Sequence, residues 1–154
     1  MSRCVLIVAL GSVACSSACT SAAGDDDAAE VPECIDYALE GCSLLYPATY
    51  DQVWNQTLGK GCAEFGTACH AQSDAAGAEN GLLFVDPQAT WEHLTLTSPS
   101  PLVVANDPRC SPLFVRLATD DPAIRMPPGN SGLDPGALCS IATWISDGAT
   151  YSQP

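Results

Sequence analysis

Along this 154-residue chain, apolar residues take up helical spacing in a few separated stretches, and those stretches locate its helices. In "YPATYDQVWNQTLGKGC" the positions Tyr50, Val53, Trp54, Thr57 and Leu58 fall on one face. Thr49 is the expected N-cap, Gln52 its capping-box partner, and Gly59 and Gly61 the expected stop. Asp86-Pro87 opens a second short helix, "QATWEHLT", and Ser111-Pro112 a third, "LFVRLAT". Asp134-Pro135 caps the last, "GALCSIATWISDG", whose buried stripe is Leu138, Ile141, Trp144 and Ile145 and whose stop is Gly148. Between the third and last helices, "DDPAIRMPPGNSG" has too many prolines and glycines for regular structure, so it is a loop presenting Met126. The pattern predicts a mostly α domain with long ordered loops and little strand.

The region before residue 47 reads differently. "MSRCVLIVALGSVAC" has one early positive charge at Arg3, an apolar run from Val5 to Leu10, and then small residues, the composition of an export signal. "SVAC" ending at Cys15 and "SSAC" ending at Cys19 both resemble a bacterial lipoprotein cleavage box. Residues 1–19 are therefore taken as a leader, with lipidation at Cys15 or Cys19; plain secretion with cleavage near Ala23 is the alternative. Residues 20–31 are small and acidic without apolar periodicity, as expected of a flexible tether whose Asp25–Asp27 run is solvated. Residues 32–46, "VPECIDYALEGCSLL", form a disulfide-closed lead-in.

Composition narrows the choice of function. The net charge is −13, and the five basic residues, Arg3, Lys60, Arg109, Arg116 and Arg125, are scattered. No basic stripe exists, which argues against nucleic-acid binding. Nine cysteines in an exported chain point to disulfides. If Cys19 carries the lipid, six remain: Cys34, Cys42, Cys62, Cys69, Cys110 and Cys139. Order along the chain suggests Cys34–Cys42, Cys62–Cys69 and Cys110–Cys139. The last would close a loop that contributes roughly 3–4 kcal/mol in the chain-entropy treatment. No G-x-S-x-G, H-E-x-x-H, P-loop or C-x-x-C motif is present, so the chain is not expected to be an enzyme. Cys62, Cys69 and His70 supply only three local zinc donors, at unusual spacing. His93, beside Glu92, reads as a solvated helix position.

The order of parts resembles the small class I cytochrome c domain. An N-terminal helix (Tyr50–Leu58) is followed by the Cys69-His70 pair, then by "RMPPG" (Arg125–Gly129), then by a C-terminal helix ending "WISDGA". It is especially similar to divergent versions in lipoproteins of environmental bacteria, and the likeness spans residues 47–151. The resemblance implies terminal helices that cross and a haem ligated by His70 and Met126, 56 residues apart (126 − 70). It also implies one-electron transfer with redox protein partners at a bacterial envelope, periplasmic or on the cell surface. Trp144 and Leu138 would wall the pocket. Gly66 stands where the family has its first attachment cysteine, leaving one regular thioether, through Cys69. If Cys62 and Cys69 are instead joined to each other, haem is held without thioethers, or is absent and disulfides replace it in a structural or interaction module.

Overall fold

In the computed structural model of the chain, the described residues are 32–63, 69–129 and 132–153. The leader, the tether, both candidate lipidation cysteines and Gly66 lie outside them. Among the described residues the protein is helical, with no strand, and no helix is long and apolar enough to cross a membrane.

Helix α1 begins at Tyr50–Val53 and widens without a break into π-helical winding over Trp54–Cys62. Tyr50, Val53, Thr57 and Leu58 are buried, as the spacing predicts, and Trp54 is half-buried. The expected stop at Gly59 fails. The Trp54 indole folds back over that residue, and a Cβ at position 59 would lie 3.0 Å from it. The missing side chain admits the ring instead of ending the helix. The capping box also fails: Gln52 donates to the Asp51 carboxylate (2.9 Å), and the backbone carbonyl of Thr49 accepts from Gln52 and Val53 N–H.

Helix α2 (Pro87–Leu96) starts as expected, Asp86 accepting from the Ala89 N–H at 2.7 Å. Helix α3 (Pro112–Ala118) starts at Ser111, but that hydroxyl caps nothing in its own helix. Fully buried, it donates to the Asp107 carbonyl (2.7 Å) and accepts from the Val104 N–H (2.8 Å), fastening the preceding loop. Helix α4 (Pro135–Ser146) is capped by Asp134 and ends at Gly148, which has φ +99°. Its buried set is wider than one stripe: Ala137, Cys139, Ser140 and Ala142 join Ile141, Trp144 and Ile145, while Leu138 is only half-buried. A helix apolar around most of its circumference belongs at the centre of a domain, and α4 touches both α1 and α3.

The lead-in is extended, with Ile35, Tyr37 and Leu39 alternating inward against the core and their neighbours exposed. Tyr37 meets Phe114 of α3 edge-on, ring centroids 4.9 Å apart. The disulfide order expected from the chain is corrected here. Cys34 is bonded to Cys110 and Cys42 to Cys139, across 76 and 97 residues of sequence. Cys62 and Cys69 are both thiols. The lead-in is thus not closed on itself. Its Ile35 N–H bonds the Arg109 carbonyl (3.0 Å) and its Leu45 N–H bonds the Gly136 carbonyl (3.0 Å), which brings each cysteine beside a distant partner. Proximity of Cα atoms, not order in the chain, decides pairing. Loops of this length correspond to about 4–5 kcal/mol each in the chain-entropy treatment.

Candidate functional site

His70 is held at three points. Its N–H donates to the Cys62 carbonyl at the end of the π winding (3.2 Å), and its carbonyl accepts from the Phe84 N–H (2.8 Å). Its ring Nδ1 lies 3.1 Å from the Leu82 carbonyl, and the ring stacks on Phe84 with centroids 4.5 Å apart. A carbonyl can only accept, so Nδ1 carries a proton, and in the neutral ring Nε2 is the nitrogen with the lone pair. Backbone from the turn Ala76–Gly81 closes over the same residues. A Cβ on Gly77 would stand 3.0 Å from the Cys69 carbonyl oxygen and 3.2 Å from His70 Cε1, so this approach requires glycine.

The bond from His70 N–H to the Cys62 carbonyl brings the backbone of Cys69 near Cys62. The Cys62 thiol is pushed up to about 11 by burial, with Cys69 as a smaller second cause. Both residues are half-buried. Among the described residues no group of three or more His, Cys, Asp and Glu side chains could hold a metal ion, so the zinc reading has no support.

Met126 sits where the proline-rich loop returns to the end of α3. Its N–H donates to the Arg116 carbonyl (2.8 Å), and its half-buried side chain packs against the core. Arg116 in turn donates to the carbonyl of buried Ile124 (3.3 Å), so Arg116 holds the loop on both sides of Arg125. Among its described residues the segment has no regular element, as its prolines and glycines predict.

The tryptophans serve the core. Trp144 lies 5.5 Å from Tyr50 between centroids and donates to the Thr150 carbonyl (3.0 Å). Trp91 donates to the Ala149 carbonyl (2.8 Å). A cavity of about 570 Å³ opens between the π winding and the start of α4, with Tyr46, Thr57, Gly61, Leu133 and Ala137 in its wall. Neither His70, Met126, Trp144 nor Leu138 lines it. His93 is half-buried in α2.

The residues that orient His70 were not legible as such. Leu82 and Phe84 lie between the first two predicted helices, in a stretch with neither helical spacing nor strand alternation. The signal was there in "GLLFV", an apolar run whose Phe84 is buried, whose Leu82 and Leu83 are half-buried and whose Val85 is exposed. Compared with protein-family models, curated proteins and solved structures, the chain matches none.

Proposed function

We propose that this chain is an exported, lipid-anchored one-electron carrier that binds haem through His70 and Met126. The carrying observation is the tautomer of His70, whose Nδ1–H···O=C bond to Leu82 leaves Nε2 free to ligate. Metal-ligating histidines commonly donate their other ring N–H in this way, which fixes ring orientation and raises basicity. The donor chemistry fits. His70 and Met126 would hold the haem iron through a neutral imidazole and a thioether, ligand types that iron takes, and the thioether would raise its reduction potential. Cys69, next to His70, would supply the one regular thioether. The bound group would provide the redox couple, while the chain orients it and limits its contact with water. Acylation at Cys15 or Cys19, with the acidic segment 20–31 as spacer, would hold the carrier at an envelope membrane near its redox partners.

The test is spectroscopic. The full chain, made in a host that exports and matures haem proteins, is expected to show a Soret band. His70→Ala should abolish that band, and Met126→Ala should keep haem while altering the reduced spectrum. Colourless protein from such a host would end the reading.

A second reading has its own support, namely a haem-free, disulfide-stabilised envelope module. Tyr50, Val53, Ile141, Trp144 and Ile145 form one closed cluster where α1 meets α4, and two long-range disulfides fasten the lead-in to α4 and the loop before α3. Such a fold needs no prosthetic group at its centre. It predicts colourless protein whose unfolding temperature is unchanged by added haem.

A further inference from the structure

We infer that Cys62 and Cys69 form a reversible dithiol–disulfide pair, a third bridge that opens and closes while Cys34–Cys110 and Cys42–Cys139 stay shut. The backbone brings the two residues together. The hydrogen bond from His70 N–H to the Cys62 carbonyl sets Cys69, the residue before His70, beside Cys62. The other four described cysteines are already joined in two pairs, so Cys62 and Cys69 are each other's natural partners.

Reversibility follows from what each bridge does for the fold. The two closed bridges join segments 76 and 97 residues apart. Cys62 and Cys69 are only seven apart (69 − 62), and their segments are held together by backbone hydrogen bonds with the sulfurs still reduced. The fold therefore accepts the dithiol, and closing the bridge contributes about 2–3 kcal/mol of loop-closure entropy, against about 4–5 for each of the other two.

The oxidant required is a disulfide, either of a small thiol or of a protein. One thiolate attacks it, forming a mixed disulfide and releasing one of its sulfurs as a thiol. The second thiolate then attacks the mixed disulfide, forming the Cys62–Cys69 bond and releasing the other sulfur as a thiol. Two electrons and two protons pass to the oxidant in all. The inference concerns the site of the haem reading without resting on it. A closed bridge leaves no sulfur for a thioether, so any haem present would be held by His70 and Met126 alone.

The full exported chain should be equilibrated in glutathione buffers from reducing to oxidising, alkylated, digested without reduction and mapped by mass spectrometry. The expected result is a Cys62–Cys69 peptide lighter by two hydrogens in the oxidising buffers and doubly alkylated in the reducing ones. The Cys34–Cys110 and Cys42–Cys139 peptides should persist throughout. Cys69→Ser should lose the light peptide and keep both other bridges. The inference is overturned if both thiols remain alkylatable in oxidised glutathione, if either pairs with another cysteine, or if either carries a haem thioether. Colourless protein that gives the light peptide would sink the haem reading and leave this one standing.

Discussion

The hydroxyl of Ser140, fully buried on α4, accepts from the Tyr46 N–H at 3.2 Å and donates to the Tyr46 carbonyl at 2.8 Å. Removing it leaves a buried N–H without a partner, so Ser140→Ala should lower unfolding free energy by about 1–3 kcal/mol, measured in urea. A second residue-scale prediction concerns alkali. The Cys62 thiol, ordinarily near 9, titrates near 11 in the fold because burial, and then Cys69, disfavour the thiolate. Burial raises the phenols of Tyr37, Tyr46 and Tyr50 as well. A group whose pKa is raised on folding contributes stability below its unfolded pKa and loses it as pH climbs through the folded one. Stability should therefore fall from about pH 9 upward, and the Cys62 part of that loss should be complete above about pH 11. Thermal unfolding across that range checks the sign; a rise would refute the assignment.

At the scale of elements, the caps separate what each helix needs. Asp86 bonds the Ala89 N–H, so Asp86→Ala should cost about 1 kcal/mol by loss of the cap. Thr49 has no side-chain cap bond within α1, so Thr49→Ala should cost clearly less than Asp86→Ala by the same denaturant measurement. The contact of α1 with α4 is stronger. Trp144 is buried against Tyr50, and Trp144→Ala should cost about 3–5 kcal/mol, the range for emptying a large aromatic site in a core.

For the whole molecule, the two long-range disulfides hold an extended lead-in that has no regular structure of its own. Replacing Cys34 and Cys110 together by serine should lower unfolding free energy by about 2–5 kcal/mol and release the Tyr37–Phe114 contact first. Hydrogen exchange at Ile35 N–H, which bonds the Arg109 carbonyl, reports that release directly.

Helix positions were legible because they depend on local signals: apolar spacing, Asp-Pro and Ser-Pro starts, and Gly148 at the end of α4. The proline-rich loop carrying Met126 was legible for the same reason, since proline and glycine act on their own backbone. What only tertiary structure decided lies between segments distant in the chain. Cys34 and Cys42 turn away from each other to partners beyond residue 100, Ser111 fastens a loop instead of capping its helix, and Gly59 admits an indole instead of stopping α1. The Leu82 carbonyl that sets the His70 tautomer belongs with these. Local chemistry sets where a helix starts and stops. Which sulfur, carbonyl or ring meets another across the fold is settled by packing geometry, which residue order does not encode one position at a time.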